Sequence, residues 1–404
     1  MASTSLKFKR QINVPPAEAY RAFTHTTALR DWFCTIAQVD ARKGGRFYFG
    51  WDSGFYATGE FTVLDPGKKL AFTWIGKDEP GPSRVQVTFQ AKNGGTLVTV
   101  THGGVGSGKK WAVTVRAIQE GWSEGVENLQ SVLETGIDLR VARLPRLGIF
   151  IDDFNAEIAA RLGVPAKEGI RLAGVADGTG AQAAGLQKGD VIVKLGGKKA
   201  VTFSTLSRAL EGRTGGDVVP VAFYRGGEKK TVALELSKRP MREAPPLSEL
   251  LQIVRKNTVD LNAELEQLIE GVSEDEAAHR SAPEAWSIKD AVAHFVLCER
   301  DFQSWVAQMV NDRETGDYLE FRPNVTPRIR ATIEVRPTLA ALLDELKRAQ
   351  TETVAMLAAL PEELIRRKHL YQRAAFWMTD VVPSHYRDEH FGLMRAAIQS
   401  ARKS

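Results

Sequence analysis

The sequence predicts three successive domains: an α+β helix-grip domain, a mainly β domain and an all-α four-helix bundle. The chain has 404 residues, whereas single domains cluster near about 100 to 150 residues. The spacing of apolar residues also changes along the chain, from alternating to helical. Two proline-bearing stretches, at about 140–148 and 237–249, separate the three regions. We therefore place the domains at residues 1–139, 140–239 and 240–404.

The composition is that of a folded, water-soluble protein, because 43% of the residues are hydrophobic and 25% are charged. The net charge of +5 comes from basic residues spread along the chain, so neither a nucleic-acid nor a membrane partner is predicted. The two cysteines, Cys34 and Cys298, are too far apart in sequence for a CxxC zinc site and lie in different predicted domains. No long apolar segment is visible, and we expect a cytoplasmic location.

The first domain begins with an alternating strand, KFKRQINV, followed by a helix that Pro15 and Pro16 open. Short alternating runs separated by turn residues then predict an antiparallel meander. The last element, at about 110–135, carries apolar residues at spacings of three and four. This stripe predicts a long helix lying across the sheet.

The runs PAEAYRAFT, LRDWF, GGRFYF, GEFTVLDPGKKLAFTW and EGWSEGVENLQSVLETG resemble the SRPBCC (START/Bet v 1-like) superfamily, in the branch similar to activators of the heat-shock-protein-90 ATPase. The resemblance implies a cavity between the sheet and the long helix that holds an apolar small molecule or a client protein. The alternative is that the aromatic residues form an ordinary core. The candidate cavity residues are aromatic: Phe49, Trp51, Phe61, Trp74 and Trp122.

The second domain contains the runs AQAAGLQKGDVIVKLGGKKAVTFSTLSRAL and VAFYRGGEKKTVALEL, which resemble a PDZ domain in the permuted bacterial arrangement. In such a domain a peptide pairs with an exposed sheet edge, and backbone N–H groups of a loop receive its terminal carboxylate. The resemblance implies peptide or protein C-termini as partners. The candidate peptide-binding residues lie on the loop and on the following helix: Arg146, Leu147, Gly148, Ile149, Leu206 and Leu210.

The third domain is predicted to be helical near 248–270, 287–311, 338–360 and 378–402, with an extended, proline-bearing crossover between the second and third helices. The segments AWSIKDAVAHFVLCERDF and SHYRDEHFGLMRAAI resemble the DinB-like superfamily. Members of that superfamily often hold a divalent metal on three side chains. The predicted cofactor is therefore a divalent metal, zinc or nickel.

The resemblance places the first metal ligand at His294 and the last at His390, while the position one turn before the last is Tyr386. In a regular α-helix, His385 would lie about 140° around the axis from His390, so we expect His385 to point mostly elsewhere. Cys298 follows His294 by one turn and offers a thiolate, which favours zinc. The alternative is that these residues are ordinary parts of the bundle.

No complete catalytic motif is visible in the sequence. The run GGVGSGKK, at 103–110, lacks the Ser or Thr of a phosphate-binding loop because Lys110 stands there. We therefore expect a cytoplasmic, non-catalytic binding or adaptor protein. Two alternatives stay open: a metal-dependent DinB-like thiol transferase or hydrolase that uses His294 and His390, and a regulator of a chaperone ATPase.

Overall fold

The computed structural model describes residues 4–239, 243–311, 313 and 325–403. The chain forms two compact units, Met1–Ile137 with Glu243–Ser404, and Asp138–Arg242. The first unit contains the α+β region and the helical region that the sequence predicts. The second unit contains the mainly β region.

The α+β part of the first unit is a seven-stranded antiparallel sheet with three helices. Its elements are β1 (Thr4–Ile12), α1 (Pro16–Arg21), α2 (Thr26–Trp32), β2 (Ile36–Val39), β3 (Arg46–Gly50), β4 (Tyr56–Asp65), β5 (Lys69–Gly76), β6 (Ser83–Lys92), β7 (Gly95–Val105) and α3 (Ala112–Thr135). The strand order is β1-β7-β6-β5-β4-β3-β2. Strands that follow one another from β2 to β7 are neighbours, as a meander requires.

Helix α3 packs its apolar stripe against this sheet. Ile118, Trp122, Val126 and Leu129 are buried on α3 and share one apolar core with the strands. The helix ends at Gly136, which adopts φ 79°, a conformation that glycine adopts without a steric penalty. The predicted helix-grip arrangement is therefore confirmed.

The helical part of the first unit is built from four long helical stretches and the shorter helices that connect them. Its elements are α8 (Leu247–Leu268), α9 (Glu274–Ala278), α10 (Ile288–Val310), α11 (Val325–Val335), α12 (Leu339–Ala358), α13 (Glu362–Arg366), α14 (Lys368–Phe376), a π-helical segment (Trp377–Val381), α15 (Val382–Ser384), a second π-helical segment (His385–Phe391) and α16 (Gly392–Ala401), numbered after α4 to α7 of the second unit. The predicted four-helix bundle is confirmed, although its last helical stretch begins at Lys368, ten residues before the predicted start.

The extended crossover was predicted wrongly in its second half, because Val325–Val335 is the helix α11. Pro327 lies in the first turn of this helix, where a backbone N–H has no partner within the helix and proline is tolerated. The proline was therefore compatible with a helix. Residues 314–324 of the predicted crossover lie outside the described residues.

The second unit is a mainly β domain. Its elements are α4 (Leu139–Ala142), β8 (Ile149–Asp152), α5 (Ala156–Leu162), β9 (Ile170–Val175), α6 (Gly180–Ala183), β10 (Val191–Leu195), β11 (Lys198–Lys199), α7 (Phe203–Leu210), β12 (Val218–Arg225) and β13 (Glu228–Glu235). The strand order is β13-β12-β10-β9-β8, and β11 pairs with β10. Strand β8 therefore lies at one edge of the sheet. Thr202 and Thr205 cap α7 reciprocally, which fixes where this helix begins.

Candidate functional site

Three histidines of the bundle converge. His294 lies on α10, and His385 and His390 lie on the second π-helical segment. The Nε2 atom of His385 is 3.0 Å from Nε2 of His294 and 3.1 Å from Nε2 of His390. The ring centroids of His294 and His390 are 4.9 Å apart. The three imidazoles therefore form one cluster, which we call the histidine cluster.

The expectation that His385 points away from His390 was wrong. It assumed an α-helix, in which residues four apart share a face. The segment His385–Phe391 is instead π-helical, and π-helical bonding joins residue i to residue i+5. Residues five apart then lie one above the other, so His385 and His390 face the same side.

Glu389 orients the His385 ring. Its Oε2 atom lies 3.0 Å from Nδ1 of His385, and the Glu389 carboxylate is 60% exposed. The carboxylate accepts a hydrogen bond from Nδ1–H, so Nε2 of the neutral ring carries a lone pair directed at the cluster. This pairing of a carboxylate with a histidine is typical of the outer shell of metal sites.

Two further side chains border the histidine cluster. The Sγ atom of Cys298 is 3.4 Å from Nε2 of His294 and 3.9 Å from Nε2 of His385. The Trp286 ring lies parallel to the His390 ring, at an interplanar angle of 2° and a centroid separation of 5.5 Å.

Within the described residues, two overlapping sets of donors could hold a metal ion, and His385 belongs to both. The first set is His294, Cys298 and His385, and the second is His385, Glu389 and His390.

Tyr386 lies in the apolar core beside this cluster. It is 1% exposed, and its ring stacks on Phe295 at a centroid separation of 3.9 Å. The third imidazole of the cluster comes from His385, the neighbouring residue. The spacing of five in HYRDEH was the signal for this, provided that a π-helical turn had been considered.

The candidate cavity residues of the α+β part pack around one aromatic ring that the sequence reasoning missed. The Phe33 ring lies 5.6 Å from that of Phe49 and 5.2 Å from that of Trp51. It also stacks on Trp122 at 5.1 Å and lies 6.5 Å from Trp74. Phe61 is fully buried in the same core. An apolar cavity among these rings stays a prediction.

A polar group that the sequence reasoning also missed, His102, lies in this core. Trp122 Nε1–H donates to Nδ1 of His102 at 3.0 Å, so the imidazole proton lies on Nε2 and is donated to Ser83 Oγ, 2.7 Å away. His102 is fully buried, and burial lowers its pKa to about 4. Because Nε2 already carries a proton, His102 cannot accept one from Ser83, and the pair lacks the protonation of a catalytic Ser–His dyad.

The predicted carboxylate-binding loop leads into the edge strand β8. Leu147 is buried in the domain core, and Gly148 adopts φ 78°. A side chain at Gly148 would come within 2.3 Å of Thr179. Glycine is therefore required at this position on two counts, backbone conformation and space.

The peptide planes of this loop direct two N–H groups away from the neighbouring segments. The carbonyl of Arg146 accepts from the N–H of Ser237 at 2.8 Å, and the carbonyl of Gly148 accepts from the N–H of Ala176 at 2.8 Å. In a trans peptide the following N–H points opposite to the carbonyl. The N–H groups of Leu147 and Ile149 therefore point away from Ser237 and Ala176, respectively.

The other predicted groove residues contact the same core. Leu206 is buried, and Leu210 and Ile149 are half-buried against the cluster that contains Leu147. Arg146 is half-buried at the start of the loop.

Among the described residues, no helix is long and apolar enough to cross a membrane.

Three family comparisons match successive parts of the chain. Residues 13–134 match the family of Activator of Hsp90 ATPase homolog 1-like proteins. Residues 136–236 match the PDZ domain family, and residues 258–387 match the DinB superfamily. The last match includes His294 and His385 and ends before His390.

Curated relatives match only in part. The serine protease Do-like HtrA of Lactococcus lactis subsp. cremoris is 34% identical over 121 residues, which make up 29% of this chain and 29% of that protein. The periplasmic serine endoprotease DegP of Salmonella typhimurium is 30% identical over 116 residues, which make up 29% of this chain and 24% of that protein. The chain thus spans less than a third of the length of these relatives.

Solved structures resemble about a third of the chain. One is the Aha1 dimer from Colwellia psychrerythraea, at 18% identity and a TM-score of 0.29, covering 32% of this chain and 96% of that chain. Another is an HSP90 activator from Plasmodium falciparum, at 27% identity and a TM-score of 0.28, covering 32% of this chain and 95% of that chain.

The matched domain types indicate a binding or adaptor role. The chain joins an Hsp90-activator-like domain of the SRPBCC type, a PDZ domain and a DinB-superfamily domain, in that order.

Proposed function

We propose that this protein is a cytoplasmic, non-catalytic adaptor whose PDZ domain captures peptide C-termini. The observation that carries the proposal is the loop at Leu147 and Gly148, which leads into the sheet-edge strand β8. A peptide strand adds to such an edge through backbone hydrogen bonds. The N–H groups of Leu147 and Ile149 are the donors for the terminal carboxylate, and Arg146 adds positive charge.

The side chains beside this loop favour an apolar last residue in the peptide. Leu147 and Leu206 form the buried floor of the pocket, and Ile149 and Leu210 form its half-buried sides. An apolar side chain loses water contact there and gains roughly 25 cal/mol per Å² of buried surface. A charged last side chain would lose its water among these four apolar side chains.

Selection from a random peptide library with free C-termini tests this specificity on the full chain. We expect enrichment of peptides that end in an apolar residue. Leu210→Ala should weaken their binding about three- to tenfold, since it removes one wall of the pocket. Leu162→Ala is the matched control, because Leu162 lies on α5 and is not one of the groove residues. Enrichment independent of the last residue would contradict the proposal.

The histidine cluster supports a second function, the binding of a divalent metal by the bundle. Two nitrogens that each lie 2.0–2.1 Å from a zinc ion are separated by about 2.9 to 3.4 Å, depending on the angle between them. The Nε2 separations of 3.0 and 3.1 Å fit this range. Glu389 fixes His385 in the tautomer that offers Nε2 as a ligand. We infer that one of the two donor sets that share His385 holds zinc or nickel.

Such an ion, when bound with an open position, would supply Lewis acidity to a thiol or a water molecule. The metal-dependent transferase or hydrolase is therefore the alternative to the adaptor. Elemental analysis of untagged protein tests the metal site. We expect near-stoichiometric metal in the wild type and its loss in His385→Ala. His279→Ala is the control, since His279 pairs with Ser400 outside the cluster. Equal metal content in both variants would contradict the site.

The Hsp90-activator-like domain supports a further proposal, contact with a client protein or an apolar ligand through the aromatic core around Phe33. Regulation of a chaperone ATPase would be one form of such contact. Titration of the wild type with an apolar fluorescent probe tests the cavity, because a probe bound in this core should quench the fluorescence of its Trp residues. A probe that leaves Trp fluorescence unchanged at saturation would contradict it.

A further inference from the structure

The two candidate donor sets share His385, and their other members approach different nitrogens of its ring. Nε2 of His385 lies 3.0 Å from Nε2 of His294 and 3.1 Å from Nε2 of His390. Nδ1 of His385 lies 3.0 Å from Oε2 of Glu389. The two nitrogens of an imidazole point away from each other, so one ring gives one ion a single nitrogen. A set can hold an ion only if its members meet at the same nitrogen of His385.

The second set, His385, Glu389 and His390, does not meet this condition. His390 lies at Nε2 of His385, whereas Glu389 lies at Nδ1. To share an ion with His390, the Glu389 carboxylate would have to leave Nδ1–H and give up the hydrogen bond that fixes the tautomer of the ring. Glu389 is therefore a hydrogen-bond partner of His385 and not a ligand.

The first set, His294, Cys298 and His385, meets at Nε2 of His385. Cys298 follows His294 by one helical turn on α10, so both side chains lie on one face. Its Sγ atom lies 3.4 Å from Nε2 of His294 and 3.9 Å from Nε2 of His385. A tetrahedral zinc ion separates its nitrogen and sulfur ligands by about 3.3 to 3.6 Å. The three separations of this set, 3.0, 3.4 and 3.9 Å, lie within about 0.3 Å of that range.

We propose that His294, Cys298 and His385 hold the metal and that His390 is not a ligand. The inference rests on the proposed metal site and deepens it, because it decides which donor set is used. Among the residues that the structure describes, no fourth histidine, cysteine or carboxylate joins this set. A tetrahedral ion therefore keeps one position open, as catalytic zinc sites do. The thiolate selects zinc over harder ions.

Cobalt(II) spectroscopy on the full chain tests the choice of ligands. Cobalt(II) alone is the probe, because it replaces zinc and reports its ligands by visible absorption. We expect an intense sulfur-to-cobalt charge-transfer band in the wild type and in His390→Ala, and its loss in Cys298→Ala. Cys34→Ala is the matched control, since it removes the other thiol of the chain and should leave the spectrum unchanged.

Glu389→Gln is a second variant that does not disturb the buried part of the bundle, because the Glu389 carboxylate is 60% exposed. Gln keeps an oxygen that accepts from Nδ1–H of His385 but is a poor metal ligand. We expect this variant to keep the charge-transfer band and to bind cobalt at most about tenfold more weakly. Loss of cobalt from Glu389→Gln would instead assign the ion to the second set.

Azide tests the open position, because it binds a metal where a position is open. We expect azide to shift the cobalt spectrum of the wild type, and an unchanged spectrum would overturn the open position. Cobalt that binds without a charge-transfer band and is lost in His390→Ala would overturn the choice of set and leave the proposed metal site standing. Failure of the wild type to bind cobalt or zinc at all would overturn the metal site itself.

Discussion

The buried imidazole of His102 makes the folded chain less stable at acid pH. Its pKa is lowered from 6.5 to about 4 by burial. Between these values the unfolded chain binds a proton that the folded chain does not, so stability is complete above about pH 6.5 and falls as the pH falls toward 4. The full loss is about 3 kcal/mol.

We predict that His102→Asn removes this pH dependence. Asn keeps an acceptor for Trp122 and a donor for Ser83, but it does not titrate. Urea unfolding at pH 7.5 and pH 5 measures the change for wild type and variant. The wild type should lose about 2 kcal/mol more than the variant between these pH values. Equal losses would show that His102 is not held neutral.

Glu299, in the bundle, gives the stability of the folded chain the opposite dependence on pH. It is buried and accepts a hydrogen bond from Thr353 Oγ1 at 2.6 Å, and burial raises its pKa from 4.5 to about 7. Between these values the folded chain holds a proton that the unfolded chain has lost. This contribution to stability is complete below about pH 4.5 and is lost as the pH rises through 7.

We predict that Glu299→Gln stabilises the bundle at pH 8 by up to about 3 kcal/mol relative to wild type, and by much less at pH 5. Gln is uncharged and keeps the oxygen that accepts from Thr353. Chemical unfolding followed by a bundle-specific probe gives the two differences. A gain of the same size at both pH values would mean that ionisation of Glu299 is not the cause.

At the scale of elements, the π-helical segment His385–Phe391 determines whether the histidine cluster forms. Its i to i+5 bonding accommodates one residue more per turn than an α-helix. Deleting one exposed residue, Asp388, leaves His385 and His390 four apart, which is the spacing that shares a face in an α-helix. We predict that this deletion keeps metal content near that of wild type.

The control for the deletion is Asp388→Ala, which leaves the helical register unchanged. Metal content of purified protein is the measurement for both. Loss of metal in the deletion, with full metal in Asp388→Ala, would show that the histidines do not meet through this change of register.

Gly136, at the end of α3, joins the α+β part to the bundle. It adopts φ 79°, and an added Cβ would lie 2.8 Å from the backbone of Lys368. Its carbonyl accepts from Nδ1–H of His369 at 3.0 Å. Substitution at Gly136 therefore adds a steric clash with the bundle to the cost of the left-handed backbone.

We predict that Gly136→Ala destabilises the first unit by about 1 to 3 kcal/mol more than Gly271→Ala. Gly271 adopts φ 72° after another helix of the same unit, but no atom lies within 4 Å of its added Cβ. Thermal unfolding of both variants provides the comparison. Equal destabilisation would contradict the close approach at Lys368.

The spacing of apolar residues was sufficient to predict those elements in which it follows a regular helical period. The stripe of α3 and the long helices α8, α10 and α12 follow the helical period, and their predicted positions agree with the structure. The π-helical segments were not predictable from the same rule, because that rule assumes 3.6 residues per turn. His385 was therefore assigned to the wrong face although its type and position were noticed.

At the scale of the whole molecule, the succession of three domain types could be predicted from sequence, because each domain carries its own local motifs. Contacts between residues far apart in sequence could not be predicted in this way. The Phe33 ring at the centre of the aromatic core and the pairing of His102 with Trp122 depend on distances that no local pattern encodes. The same is true of His369 and Gly136, which are 233 residues apart.

Peptide capture by the loop at Leu147 and Gly148 is the central claim, and the chemistry of the peptide terminus tests it most directly. Calorimetric titration of the full chain would use two peptides of one sequence with an apolar last residue, one ending in a carboxylate and the other in an amide. We expect the carboxylate to bind about 10- to 100-fold more tightly, since it accepts charge-assisted hydrogen bonds. Arg146→Ala should reduce this preference, and Arg161→Ala, on α5, should not. Equal affinity for the two peptides would contradict the account.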